Sequence, residues 1–399
     1  MKIFILTLLV TFLCSCALFS DNTQITYNTI NHEDAFAKLF DDDQNNTAEN
    51  PSQLSNFDLS NINLGYVNLH FAVLSLSNLS HAKLNHANFN NVIFHASNMV
   101  GVDFSNSTLV NVDLSGTNLS EANFSNTTLI NVNLNNAILT KSNFTDSTLS
   151  QCNLRNAKFS DAIIHSTQFK NSDLKNTVFY YCNISDTDIK NQDLAFSRFT
   201  GSTIVNSNFS GSHFKQTGFD NTNLNKTIFT KSHLTNAKFI DSNISDSHFD
   251  KSQSIGIHIE SSNVNSSVFD FADMREAIIE ESNIVNSSMR EMKLSFSKFT
   301  YSHFESVDLT KSNMSRASFR RAKLISSQLS NTVNKWSSFL MCNLSDSNLQ
   351  YSDIHKADFR GATLKNTDFS NVKNLTTAIG FDKASDFTPP GTAQQSREN

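Results

Sequence analysis

Large apolar residues recur at every fifth position of this chain, a spacing that belongs to neither an α-helix nor a β-strand. In the stretch NLSEANFSNTTLINVNLNN, residues 118–136, the apolar positions are Leu119, Phe124, Leu129 and Leu134. A helix buries every third or fourth residue and a strand every second. The chain must therefore follow another regular path, and the period of five limits what that path can be.

The same register continues from Leu54 to Phe369 and gives (369 − 54)/5 + 1 = 64 positions, called here the grid. Of these, 62 carry Leu, Phe, Ile, Met or Val, and the exceptions are Ser254 and Asn334. The grid also holds 22 of the 34 Phe residues. A small residue stands two positions before nearly every grid residue, and the residue between them is most often Asn or Asp.

This pattern resembles the pentapeptide-repeat family, whose motif is A(D/N)LXX, over about residues 52–373. The resemblance implies an all-β solenoid, a right-handed quadrilateral β-helix with one pentad on each side. Four sides place residues 20 apart in one column, as the sequence indicates for Phe159, Phe179, Phe199, Phe219 and Phe239. The 64 pentads then predict about 16 coils. At about 4.8 Å per coil, the rod is about 77 Å long, with a narrow, filled interior.

Residues 1–15 have the pattern of a bacterial lipoprotein signal peptide. Lys2 precedes the apolar run 3–13, which is too short to cross a hydrocarbon core of about 30 Å. The run ends in Leu13-Cys14-Ser15-Cys16, which resembles a lipobox with Cys16 as the lipidated residue and mature N-terminus. The alternative is an uncleaved N-terminal anchor that reaches Phe19.

Segments at both ends of the repeats are expected to cover the open coils, because a solenoid of this kind has two exposed ends. Residues 16–50 are predicted to contain the lipid tether and a short capping helix at about 32–40, with Phe36, Leu39 and Phe40 on its apolar face. The β-helix occupies 51–373. Residues 374–399 form a partial cap, expected at 374–380, and a disordered tail.

Several polar and sulfur-containing residues are candidates for special roles. Ser254 and Asn334 predict either local bulges or a bend or binding spot. His213 and His233 stack one coil apart, but solvated ladder residues explain them better than a metal site does. The inward register also contains cysteines, which are interpreted as small apolar fillers without a disulfide: Cys152, Cys182 and Cys342.

Charged residues of opposite sign cluster in the later coils, where they could dock a partner or simply be solvated. The acidic cluster is Glu276, Glu280, Glu281 and Glu291, and the basic one is Arg316, Arg320, Arg321, Lys323 and Lys335. Outward aromatic residues, Trp336 among them, are far apart in sequence and predict no single patch. The others are Phe196, Phe296, Tyr180 and Tyr181.

The sequence favours a non-enzymatic role. It contains no phosphate-binding loop, metal-ligand spacing or separable catalytic triad, so no catalytic residue, metal, cofactor or small-molecule substrate is expected. Without Lys2 the charge is 30 − 37 = −7, which does not indicate a nucleic-acid partner.

The resulting hypothesis is a rigid scaffold of the bacterial cell envelope, anchored to the membrane by the lipid on Cys16. It would present its surface to an unknown protein partner at the outer membrane, in the periplasm or on the cell surface. The alternatives are an exported virulence or host-interaction factor and, on the family resemblance, a DNA-mimicking gyrase inhibitor. Those inhibitors are cytoplasmic and strongly acidic, unlike this chain.

Overall fold

The computed structural model of the protein describes residues 26–40, 47–381 and 384–385. These residues form an all-β right-handed solenoid of about 14 stacked coils, which confirms the predicted fold class. The coil count is slightly below the predicted 16.

The strands are short and pair in parallel, with partners 20 residues apart except where Asn28 pairs with Phe57. One sheet contains Asn68–His70, Asn88–Asn90, Thr108–Val110, Thr128–Ile130, Thr148–Ser150 and Gln168–Lys170. A nine-stranded sheet contains Ile163–His165, Asn183–Ser185, Thr203–Val205, Asn223–Asn225, Asn243–Ser245, Asn263–Asn265, Asn283–Val285, His303–Glu305 and Lys323–Ile325. A three-stranded sheet contains Lys238–Ile240, His258–Glu260 and Ile278–Glu280. Two pairs near the N-terminus join Asn28–Thr29 to Phe57–Asp58 and Ser52–Gln53 to Ala72–Val73. Elsewhere single parallel bridges continue the same register.

The grid residues form the core, and every one of them is buried, including Ser254 and Asn334. Leu119, Phe124, Leu129 and Leu134 are the four inward residues of one coil, one on each side, and all are fully buried. In the predicted Phe column, successive ring centroids from Phe159 to Phe239 lie 5.1, 4.7, 4.9 and 4.6 Å apart. Aromatic stacking therefore reinforces the same 20-residue register as the backbone.

Hydrogen bonds between coils satisfy three backbone N–H groups in each pentad. The N–H of Phe124 donates to the carbonyl of Asn143 at 2.7 Å, and that of Asn126 donates to Thr145 at 2.8 Å. In the opposite direction, the N–H of Thr128 donates to the carbonyl of Ser107 at 3.0 Å. Each coil is therefore bonded to the coils on both sides, as strands are in a cross-β stack.

Each pentad ends in a corner residue with left-handed backbone, two positions after the grid residue. Asn126, with φ of 55°, is an example. From residue 56 to residue 371 there are (371 − 56)/5 + 1 = 64 corners, of which 19 are Asn, six are Gly and none is Val, Ile or Thr. Asn and Gly adopt this conformation most readily, whereas a β-branched residue there is strained.

The preference for Ser, Thr, Asn and Asp beside the grid has a hydrogen-bonding cause. In the small inward register, the hydroxyl of Thr127 donates to the carbonyl of Phe104, one coil away, at 2.9 Å. In the outward position, the side-chain oxygen of Asn123 accepts from the N–H of Ser125 at 3.1 Å. The amide of Asn123 also donates to Asp103 of the neighbouring coil at 3.0 Å. These residues therefore satisfy polar groups that the turns would otherwise leave unpaired.

Helix α1, His32–Leu39, covers the N-terminal end of the solenoid. The side chain of Asn31 caps it by accepting from the N–H of Asp34 at 2.8 Å. Ala35 and Leu39 are buried, whereas Phe36 is 45% exposed. The expectation that Phe36 faces the core is therefore wrong, because the face of α1 that meets the first coil carries Ala35 and Leu39.

At the C-terminal end the cap extends beyond the expected residue 380. Ile379 pairs with Asp358 and Ser385 pairs with Thr363, so the spacing lengthens from 20 to 21 and 22 residues. The ring of Phe381 stacks on that of Phe359 at 4.9 Å. The expected disorder of 381–399 is therefore wrong at Phe381, 384 and 385, and the rest of the tail lies outside the described residues.

The two polar grid residues leave the stack uninterrupted. Bridges from Gln253 to Asp273 and from Val333 to Asp353 keep the 20-residue spacing, so the predicted local bulges are wrong. The Ser254 hydroxyl pairs with that of Ser252 at 2.8 Å. The amide of Asn334 donates to a neighbouring threonine at 2.8 Å, although its carbonyl oxygen is buried without a partner.

The corner conformation predicts opposite effects for two substitutions at the exposed corner Asn126. Asn126→Val is expected to lower the free energy of unfolding by about 1 kcal/mol, because a β-branched side chain is strained at positive φ. Asn126→Gly, the matched control, is expected to change it by only a few tenths of a kcal/mol. Urea unfolding of both variants beside the wild type measures the difference. Equal stability of the valine and glycine variants would contradict the corner assignment.

Candidate interaction surface

Buried side chains line the interior of every coil from Leu54 to Phe369. An open groove lies between α1 and the first coil, lined by residues that include His32, Phe36 and Ile62. Within 26–40, 47–381 and 384–385, no three His, Cys, Asp or Glu residues are grouped to hold a metal ion. No helix in that part of the chain is both long and apolar enough to cross a membrane. The outer surface of the rod is therefore where a partner would bind.

The stacked histidines stand in an outer ladder. The ring centroids of His213 and His233 lie 4.6 Å apart in an edge-to-face arrangement. Burial and the neighbouring His213 lower the pKa of His233. The carboxylate of Asp193, on the adjoining rung, already pairs with Lys175 at 2.8 Å. This pair has too few free ligands beside it for a metal centre.

All seven predicted interaction residues lie on one side of the rod, here called the charged face. It lies between two columns of corner residues that stack coil on coil. The first column is Glu276, Phe296, Arg316, Trp336 and Lys356, and the second is Glu281, Tyr301, Arg321, Met341 and Gly361. Parallel bridges between them, such as Ile278 to Lys298 and Lys298 to Ser318, fix the stacking. Glu280 and Arg320 lie between the columns.

Aromatic rings and cations alternate along these columns. The guanidinium of Arg316 lies 5.4 Å from the ring centroid of Phe296. Arg321 lies 5.6 Å from the ring of Tyr301 and donates to its hydroxyl at 2.7 Å. Lys356 lies 4.3 Å from the Trp336 ring. Such contacts hold each long side chain against the surface and stabilise it modestly.

The outward aromatic residues that are far apart in sequence share this face. Phe196, Phe296 and Trp336 occupy the first corner column, while Tyr181 occupies the second and Tyr180 directly precedes it. They share one side of the rod but are spread along it, since Phe196 and Phe296 are five coils apart. Their numbers differ by multiples of 20, or by one, four or five residues from such a multiple, so the coil length places them on one side of the rod. Phe296 and Trp336 are 53% and 52% exposed.

Two other members of the charged clusters, Glu291 and Lys335, stand on other sides of the rod and are already paired. Glu291 forms an ion pair with Lys311 at 3.3 Å, on the opposite side of the rod. Lys335 pairs with Asp353 at 3.3 Å. Six of the predicted interaction residues are charged. None of them forms an ion pair within the described chain: Glu276, Glu280, Glu281, Arg316, Arg320 and Arg321. Their charges are available to a partner.

Sequence profiles of known families match the repeats. The profile described as "Pentapeptide repeat region" matches residues 102–179. The profile "Pentapeptide repeats (8 copies)" matches 52–91, 72–109, 219–252, 287–324, 297–333 and 342–373. The chain belongs to the pentapeptide-repeat family. No curated protein matches the sequence of this pentapeptide-repeat chain significantly.

Solved pentapeptide-repeat structures resemble the fold at low identity. Rfr23 of the cyanobacterium Cyanothece 51142 is 16% identical, with a TM-score of 0.23; the match covers 23% of this chain and 63% of Rfr23, less than two thirds. HetL of Nostoc sp. strain PCC 7120 is 16% identical, with a TM-score of 0.21, and the match covers 67% of this chain and 90% of HetL. QnrB1, a plasmid-mediated fluoroquinolone resistance protein, is 16% identical, with a TM-score of 0.30, and the match covers 48% of this chain and 90% of QnrB1. None of these likenesses bears on function.

The pentapeptide-repeat interior also contains three free, buried cysteines: Cys152, Cys182 and Cys342. Burial raises the pKa of the Cys152 and Cys182 thiols from 9.0 to about 12, and it raises the pKa of Cys342 as well. All three are therefore neutral thiols at physiological pH, and a neutral thiol is a poor nucleophile.

The buried thiols are expected to resist alkylation in the folded protein. Iodoacetamide at pH 8 should leave Cys152, Cys182 and Cys342 unmodified, because reaction requires a thiolate that burial disfavours. The same treatment in urea should modify all three, which provides the control. Peptide mass spectrometry resolves each site. Rapid native modification of any of them would contradict its position inside the coil.

Proposed function

We propose that the protein is a non-enzymatic, lipid-anchored scaffold of the bacterial cell envelope that presents its charged face to another protein. Proteins of the pentapeptide-repeat family are generally non-enzymatic scaffolds. The observation that carries the proposal is the charged face itself, where three acids, three arginines and exposed aromatic rings share one side of a rigid rod.

Rigidity makes such a surface suitable for recognition. Hydrogen bonds join each coil to its neighbours, and the grid side chains are buried in every coil. The columns of the face are therefore ordered before a partner binds, which reduces the entropy lost on association. Exposed aromatic and arginine side chains are also enriched where proteins bind one another.

The lipid anchor is proposed from the sequence. Leu13-Cys14-Ser15-Cys16 follows an apolar run of signal-peptide length, and Cys16 fits the residue that receives the lipid. The anchor residues lie outside the described part of the chain. A tether at this end would leave the rod and its charged face free to meet a partner. We propose the outer membrane, with the rod in the periplasm or at the cell surface.

The DNA-mimicking alternative has less support. A mimic of duplex DNA needs a predominantly negative surface to match a DNA-binding partner. On the charged face, Arg316, Arg320 and Arg321 balance the three glutamates, and the whole chain has a formal charge of only −6. This mixed surface is better suited to a protein partner with charges of both signs.

The anchor is tested by substituting the predicted lipidated residue. Wild-type protein is expected to incorporate labelled palmitate and to fractionate with membranes. Cys16→Ser is expected to lose the label and appear in the soluble fraction, while Cys14→Ser, the neighbouring control, should keep both properties. Unlabelled, unprocessed wild-type protein in the cytoplasm would contradict the proposal and favour the gyrase-inhibitor alternative.

A further inference from the structure

The charges on the charged face form two tiers, each from one coil. The acidic tier comprises Glu276, Glu280 and Glu281, and the basic tier comprises Arg316, Arg320 and Arg321. One coil, residues 296–301, separates them, so the tiers lie about 10 Å apart along the rod. Each tier carries three charges of one sign, and none of the six forms an ion pair inside the described chain.

The two tiers match position by position. For each glutamate of the acidic tier, an arginine stands two coils, or 40 residues, later in the chain. The pairs are Glu276 and Arg316, Glu280 and Arg320, and Glu281 and Arg321. Members of each pair occupy the same column, because residues 20 apart stack directly. A half-turn about an axis across the face at residues 296–301 exchanges the two tiers. The charge pattern of the face is therefore complementary to the same pattern on a second copy of the chain.

We propose that the charged face binds a second copy of this chain in an antiparallel, two-fold symmetric dimer. In a symmetric pairing of this kind, residue i of one copy meets residue j of the other, and j meets i. The basic tier of each copy then faces the acidic tier of the other, which gives six arginine–glutamate pairs. This pairing goes beyond the proposed anchored scaffold, and it does not require the lipid.

The central coil suits a position on the two-fold axis. Phe296 and Tyr301 are each 53% exposed there, and each would meet its own counterpart. Arg316 and Arg321 already lie over these rings, so their guanidinium groups border the centre. The exposed Lys298 lies between the two rings and would also meet its own counterpart, so the centre of the interface is mixed, with rings at its corners and charge pairs at its border.

The next tiers outward are complementary in size. The same half-turn places Trp336 opposite Gly256 and Met341 opposite Ser261. Trp336 and Met341 are 52% and 53% exposed and project from their corners, whereas glycine and serine leave room at theirs. Large residues therefore meet small ones on both flanks of the charge pairs.

Charge selects the antiparallel arrangement over the parallel one. A two-fold axis along the rods would place Glu276 of one copy opposite Glu281 of the other, and Arg316 opposite Arg321. Like charges brought together in this way oppose association. The antiparallel arrangement has no such conflict between the tiers.

The two-fold axis is tested by crosslinking through a cysteine at Thr300, in the central coil. In the dimer Thr300 meets its own counterpart, so the full-length Thr300→Cys chain should give a crosslinked homodimer with a short bismaleimide. Thr310→Cys is the matched control, because Thr310 has the same pentad position and a similar intermediate exposure half a coil away. It should give no more than the background from the native cysteines. Equal crosslinking of the two variants would overturn the proposal, as would a Thr300 product with a different protein.

Charge reversal tests the pairing. With Thr300→Cys in place, one chain carries Glu276→Arg, Glu280→Arg and Glu281→Arg, and a differently tagged chain carries Arg316→Glu, Arg320→Glu and Arg321→Glu. Each alone should lose crosslinked homodimer by more than about tenfold, and the mixture should restore it as a heterodimer. Restoration also shows that both chains are folded.

The control for net charge is a triple substitution on the opposite side of the rod: Lys226→Glu, Lys231→Glu and Lys251→Glu. These are left-handed corners, as are four of the six residues reversed on the charged face, and crosslinking at Thr300 should be retained. Homodimer that persists in either reversed chain, or a mixture that fails to recover it, would overturn the antiparallel dimer.

Discussion

The hydrogen bond from a grid-residue N–H to a carbonyl on the next coil is the interaction on which the structure depends. It forms only if the chain returns to the same side after 20 residues, which requires a sharp turn in every pentad. The left-handed corner supplies that turn, as Asn126 shows with φ of 55°. Stacking of the Phe159 and Phe179 rings at 5.1 Å follows from the same return. Backbone geometry and core packing thus enforce one register.

The same register organises the surface. Residues 20 apart in sequence become neighbours in a column, so substitutions spread over 100 residues can build one recognition surface. On the charged face this brings Arg316 over Phe296 and Lys356 over Trp336. A rigid solenoid needs no pocket to acquire specificity, because the order of charges along a column can distinguish one partner from another.

Much of the fold could be predicted because the five-residue period is nearly perfect and the Phe columns reveal the 20-residue coil. The corner was harder to recognise, since Lys, Glu and aromatic residues stand there beside Asn and Gly; the absence of Val, Ile and Thr is the clearer signal. The position of Phe381 was missed because the spacing lengthens beyond residue 373, so Phe381 falls off the grid. For the candidate site, the six charges were recognised, but the aromatic residues appeared dispersed until their numbers were compared with the coil length.

Amide hydrogen exchange measures the inter-coil hydrogen bonds most directly. Within each pentad of the central coils, three amides donate to a neighbouring coil: those of the grid residue, the corner residue and the residue before the grid position. These amides are expected to exchange slowly in a five-residue pattern along the whole rod, with faster exchange toward the two ends. Fast exchange in the central coils, or protection without a period of five, would contradict the stacked 20-residue coil.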